Sequence, residues 1–139
     1  MILLDTNVIS ELMRPVPSSV VESWMTGQPT ASLFISAITE AELRYGLALL
    51  PEGQRRRNLL SQMEAMLAED FAGRILPFDR SSAVTYAQIT AARRHAGRPI
   101  AQLDAQIAAI AAARGAAVAT RNIADFDGCG VVVLNPWVA

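Results

Sequence analysis

Five short apolar runs, at residues 2–4, 33–36, 75–78, 116–120 and 131–134, alternate along this chain with longer stretches whose apolar residues recur at helical spacing. That alternation predicts an α/β fold. A helical crossover between successive strands keeps them parallel and places helices on both faces of the sheet. Helices are expected from Thr6 or Asn7 to about Met13, from Ser18 or Ser19 to about Gly27, and from Ala37 to Leu50. Others are expected over 53–70, from Ser81 or Ser82 to Ala96, and from Gln102 to Arg114. At 139 residues, without repeats, linkers or low-complexity stretches, residues 1–139 are expected to form a single domain.

The apolar fraction is 52% and the mean hydropathy +0.27. No apolar run reaches the roughly 18 residues of a membrane span. Asp5 interrupts the N-terminal apolar stretch too early for a secretory leader, so a cytoplasmic protein with no membrane partner is expected. The excess apolar content suggests a surface covered by another protein, a second copy of the chain being the first candidate. Cys129 is the only cysteine and His95 the only histidine. Internal disulfides and cysteine or histidine metal clusters are thereby excluded, and any metal must be held by oxygen. His95 suits the last turn of a helix closed by Gly97. The net charge of −1 argues against a general nucleic-acid-binding surface, and the chain contains no lysine.

Three acids stand at the edges of apolar segments. Asp5 ends the first run, Glu42 lies in the opening turns of the helix after Leu33–Ser36, and Asp104 lies near the start of an alanine-rich helix. In an open parallel sheet the strand ends and the starts of the following helices share one edge, where sites form. Each acid also has a local role available. Asp5 suits an N-cap, Glu42 the far half of a Thr39-x-x-Glu42 capping box, and Asp104 the positive end of a helix. Asp79 also ends a strand, Glu40 lies on another side of the Glu42 helix, and Asp125 either joins the site or caps a turn. If Asp5, Glu42 and Asp104 do converge, two charges about 4 Å apart cost roughly 4 kcal/mol at an effective dielectric near 20. A divalent cation relieves that repulsion, and oxygen ligands select Mg²⁺ or Mn²⁺, ions that bind phosphates and activate water. The alanines of 105–113 would let that helix approach the sheet closely and carry Asp104 to the strand ends, although they equally give strong helix propensity.

The segments MILLDTNVISEL, SAITEAELRYGLALL, GRILPFD, DAQIAAIAAARG, VATRN and LNPW resemble, in order and over nearly the whole chain, PIN-domain proteins of the VapC toxin type, FitB-like branch. The resemblance implies a PIN-like central parallel sheet and a metal-dependent endoribonuclease, the toxin of a type II toxin–antitoxin pair. It carries the family's first three acidic positions onto Asp5, Glu42 and Asp104, and the fourth onto Asn122. Asparagine adds no charge there, so one tightly held ion is expected, with Asp125 available to compensate. Thr6, Asn7 and Thr120 would orient the carboxylates or a water. The resemblance further implies a homodimer and a DNA-binding antitoxin that lays a peptide in a groove, often placing an arginine in the acidic pocket. Operator DNA would be bound only through that antitoxin. Helices 37–50 and 53–70 are the candidates for the groove. Arg44, Arg80, Arg98 and Arg121 are candidate RNA contacts, and Arg55–Arg57 forms a local basic cluster. Structured RNA of the transfer-RNA type is the expected target, cut in exposed loops.

Other chemistries fit poorly. Haloacid-dehalogenase phosphatases and phospho-receiver domains need a lysine, no glycine-rich phosphate loop is present, and a nucleophilic serine or cysteine lacks a base other than His95. The remaining alternative is a non-catalytic module, with Asn122 marking a decayed site, that binds its antitoxin and tunes operator repression.

Overall fold

The computed structural model describes all residues, Met1–Ala139. Five parallel strands form one sheet in the order β3-β2-β1-β4-β5. They are β1 (Ile2–Leu4), β2 (Leu33–Ser36), β3 (Ile75–Leu76), β4 (Ala117–Ala119) and β5 (Val133–Leu134). The chain winds outward from β1 through β2 to β3, then returns to lay β4 on the other side of β1. The order therefore reverses between β1 and β4, and the crevice beyond the strand ends at such a reversal is the preferred ligand site of open α/β sheets.

Six α-helices cover the sheet: α1 (Thr6–Leu12), α2 (Ser19–Thr26), α3 (Ala37–Ala48), α4 (Gln54–Ala65), α5 (Arg80–His95) and α6 (Gln102–Ala113). They lie on both faces, as the alternation predicts. The period-two geometry of β1 divides its side chains between two cores. Leu3 enters one with Ile107, Ile110, Val118 and Phe126. Leu4 enters the other with Val8, Ile9, Val21, Ile35 and Met63.

Several boundaries differ from expectation, each for a local reason. The expected helix over 53–70 changes at Met66 into a π-helical turn over Met66–Asp70. Strand β3 stops at Leu76, because Pro77 has no N–H to extend the ladder. Helix α5 is capped by Asp79, whose Oδ1 accepts from the Ser82 amide at 2.9 Å, and not by Ser81 or Ser82. His95 is the last residue of α5, as expected. No helix is long and apolar enough to cross a membrane.

The alanines of α6 pack as their size suggests. Ala105, Ala108, Ala109 and Ala111 are fully buried, and α6 lies against both α5 and β4. A helix without bulky side chains on this face approaches its neighbours closely, which fixes the position of Asp104 in its first turn.

Candidate active site

Asp5 follows β1 and Thr120 follows β4, so these two residues meet where the strand order reverses. The Asp5 amide donates to the Ala119 carbonyl at 2.9 Å and continues the ladder to the edge. Its carboxylate, 6% exposed, is held by fixed donors. The Thr6 amide reaches Oδ1 at 2.8 Å, and the Thr120 hydroxyl and Asn7 Nδ2 reach Oδ2 at 2.8 and 3.3 Å. Asp5 is thus the N-cap of α1 and also a wall of the cleft. The buried Thr120 hydroxyl accepts from Asn7 Nδ2 at 3.2 Å and from the Asn122 amide at 3.0 Å, which ties the β4 exit to α1.

Glu42 comes from α3. The Ser36 hydroxyl caps that helix by accepting from the Thr39 amide at 3.0 Å. The alternative role for Glu42, a Thr39-x-x-Glu42 capping box, is therefore absent, and its carboxylate faces the cleft. The Thr6 hydroxyl donates to Glu42 Oε1 at 2.7 Å and lies 3.1 Å from the buried Thr39 hydroxyl. Asp104 projects from the first turn of α6 into the same cleft and takes no hydrogen bond from the protein. Asp5, Thr6, Asn7, Glu42, Asp104, Arg121 and Asn122 line this cleft of about 520 Å³, with Ser10, Glu11, Arg14 and Trp137.

The carboxylates act on one another electrostatically. Burial, and then the negative charges of Asp5, Asp125 and Glu42, together push the Asp104 carboxyl up to about 6. Asp5 is raised too, first by burial; the Thr120 and Thr6 donors oppose that rise, and Glu42 and Asp125 add to it. None of the five ion pairs involves Asp5, Glu42 or Asp104. Asp125 is exposed and lies outside the cleft lining, but its charge reaches both Asp5 and Asp104.

The four arginines expected to touch RNA do not gather at the cleft. Arg44 is bound to Glu40 at 2.8 Å and to Glu64 at 2.5 Å, between α3 and α4. Arg98 is paired with Asp127 at 2.9 Å, and Arg80 opens α5 away from the cleft lining. Only Arg121 of the four lines the cleft. Sequence reasoning missed Glu11, Arg14 and Trp137. The first two had a readable signal: Asn7, Ser10, Glu11 and Arg14 are polar at i, i+3, i+4 and i+7, a stripe that starts on α1 and ends just past it. Glu11, 6% exposed, is held by the Ser18 amide at 3.0 Å and by Arg14, and these donors lower its carboxyl below the usual range, the Ser18 bond most strongly.

The sequence matches the PIN domain family over residues 2–127, and the chain belongs to that family. It is similar over its full length to FitB-type and VapC-type proteins. Toxin FitB of Neisseria gonorrhoeae is 46% identical, the match covering 99% of each chain. The VapC ribonuclease Y4jK of Sinorhizobium fredii is 44% identical, over 99% of this chain and 98% of that protein. A solved structure of FitAB bound to the IR36 DNA fragment superposes with a TM-score of 0.93 at 46% identity, covering 99% of this chain and 96% of that one.

The donor set can be tested against the ion the family implies. Three carboxylates without a cationic partner and the amide oxygen of Asn122 suit a hard cation, and burial with mutual repulsion raises the Asp5 and Asp104 carboxyls. No three acidic, histidine or cysteine side chains are gathered closely enough to enclose an ion unaided. The oxygen-only donors are nevertheless of the kind that a hard cation such as Mg²⁺ or Mn²⁺ takes when water completes its shell.

Proposed function

We propose that this protein is a divalent-metal-dependent endoribonuclease, the toxin of a type II toxin–antitoxin pair, that hydrolyses phosphodiester bonds in exposed loops of structured RNA. The observation that carries this reading is the convergence of Asp5, Glu42 and Asp104, from three separate elements, on one cleft in which no arginine neutralises them. The names of the full-length relatives support the ribonuclease and toxin assignments.

In this reading Asp5, Glu42 and Asp104 hold Mg²⁺ or Mn²⁺, which supplies Lewis acidity at the phosphate and a more acidic water. Thr120, Asn7 and the Thr6 amide fix the rotamer of Asp5, and the Thr6 hydroxyl fixes Glu42. Asp104, free of protein hydrogen bonds and titrating nearest neutrality, is the group placed to give up or take a proton as ion and substrate enter. Asn122, at the mouth, offers an amide to a water or phosphate oxygen without adding charge, and Asp125 supplies the extra negative potential.

The partner follows from the surface next to the cleft. A groove between α1, α3 and α4 shares Thr6, Ser10, Arg14 and Glu42 with the cleft, and Leu43, Leu47, Leu59 and Arg55 also line it. It continues through Met13 and Gln62 into a cavity of about 720 Å³ lined by Ile9, Leu12, Met25, Met66 and Phe71. An antitoxin peptide laid along this path would bury apolar side chains at one end and reach the acids at the other. The FitAB–DNA structure supports operator binding through such an antitoxin. A homodimer in the cytoplasm belongs to the same reading.

Purified protein incubated with transfer RNA and Mn²⁺ is expected to release discrete fragments. Asp5→Asn and Asp104→Asn should each abolish them without loss of fold. Wild type and both variants behaving alike would favour the non-catalytic module, the reading for which Asn122 speaks.

A further inference from the structure

The cleft is acidic, whereas its proposed substrate is a polyanion, so attraction must come from the rim. Two cations line the cleft, and Arg14 is already paired with Glu11 at 3.2 Å. Arg121 has no carboxylate partner among the ion pairs. Its guanidinium lies over the Trp137 indole, 5.2 Å from the ring centroid. The pairing follows from topology: Arg121 leaves β4 just after Thr120, Trp137 follows the neighbouring β5, and both emerge at the same sheet edge as Asp5.

Both halves of this stack are anchored. The Arg121 amide donates to Asn7 Oδ1 at 3.3 Å, and Asn7 in turn binds Asp5. The Trp137 amide donates to Asn135 Oδ1 at 3.0 Å, and its half-buried indole packs against the core beneath α1 and α2. The planar guanidinium thus lies over the indole on a fixed backbone, at an exposed position. Nucleobases stack on arginine planes as they do on aromatic rings, and any base has a face to offer.

Resting on the ribonuclease reading above, we propose that Arg121 and Trp137 form a platform on which an unpaired nucleobase stacks beside the cleft, in the order indole, guanidinium, base. The plane of Arg121 matters in this arrangement, not only its charge. An ammonium group would hold a phosphate nearly as well but could not be sandwiched.

The chain has two tryptophans, so Trp24→Phe leaves Trp137 as the sole indole fluorophore. Titrating that variant in EDTA with a short single-stranded oligoribonucleotide of mixed sequence reads binding without cleavage. Saturable quenching is expected. Arg121→Lys should weaken binding about tenfold, within the range for one stacked base. With labelled oligonucleotide, Trp137→Phe should stay within about threefold of wild type, while Trp137→Ala falls with Arg121→Lys. Where cleavage is measured, KM should rise by the same factor in Arg121→Lys with kcat unchanged. Absence of quenching, or Arg121→Lys binding as tightly as wild type, overturns the platform. If RNA is cleaved but Arg121→Lys has no effect, the platform fails and the nuclease stands. If quenching depends on the Arg121 plane but nothing is cleaved, the platform stands and the nuclease reading fails.

Discussion

A single hydroxyl has three duties at the strand-order reversal. Thr120 donates to Asp5 and accepts from the side chain of Asn7 and the amide of Asn122. Thr120→Val keeps the shape and removes all three bonds. Outer partners of metal ligands typically contribute 10- to 100-fold to affinity, so Mn²⁺ binding is expected to weaken by about that factor in a calorimetric titration. Asp104 gives a prediction of opposite flavour. Its carboxyl titrates near 6 in the folded, metal-free protein and near 3.8 unfolded, so between those values the native state binds more protons. Stability therefore falls as pH rises from about 4 to about 6. Asp104→Asn should lose that part of the slope. At pH 7 without metal it should be more stable than wild type by about 2 kcal/mol, discounted because the carboxyl keeps some contact with solvent. Urea denaturation of both proteins at the two ends of the window checks the sign. Arg44 shows how helix phase places a charge. Arg44 lies two positions after Glu42, which puts it on the far side of α3, and four after Glu40, which is the spacing of a helical ion pair. The phase of the helix contained the answer; proximity in sequence did not.

At the scale of elements, the five strands and six helices appear where the alternation of apolar runs puts them, because both short buried strands and amphipathic helices leave strong periodic signals. Termini were less readable, since they turn on which of several polar side chains wins the cap. Asp79 outcompetes Ser81 and Ser82, and Ser36 displaces Thr39. Ser36→Ala should cost about 1 kcal/mol and loosen the start of α3, with a matching loss of protection in amide exchange over residues 37–42. The alanine face of α6 gives a sharper test. Ala108→Leu inserts a branched side chain into a fully buried position, an overpacking that costs typically 1–3 kcal/mol. It should also displace Asp104 and reduce Mn²⁺ affinity, whereas Ala112→Ser on the less buried side should leave both unchanged. The segment bearing Asn122 and Asp125 is fixed by a residue no sequence pattern marked. Buried Arg93 on α5 donates to the carbonyls of Arg98, Asp125 and Asp127 and has no carboxylate partner. Arg93→Met would leave these carbonyls short of a donor, costing about 3 kcal/mol in chemical denaturation.

Across the whole molecule, the sheet order explains why residues 5, 42, 104 and 120 share one place although more than a hundred positions separate the first from the last. Each lies just beyond a strand or in a helix that leaves the same edge. The order itself could not be read from the strands, whose short runs carry no pairing label; the alternation supplied parallelism, and the order is visible only in the structure. The two cores then hold the edge rigid, one beneath α5 and α6 and one beneath α1, α2 and α4. Such a site stores like charge in the absence of an ion, so metal binding is coupled to stability: saturating Mn²⁺ should raise the midpoint of unfolding of wild type and leave that of Asp5→Asn nearly unmoved.

The proposed sharing of one ion by three carboxylates is tested most directly by a Mn²⁺ titration followed by electron paramagnetic resonance at pH 7. Wild type is expected to remove about one equivalent of free Mn²⁺, and Asp5→Asn, Glu42→Gln and Asp104→Asn each to weaken that binding at least about tenfold. Binding equally tight in all four proteins, or undetectable in wild type at millimolar Mn²⁺, would contradict it.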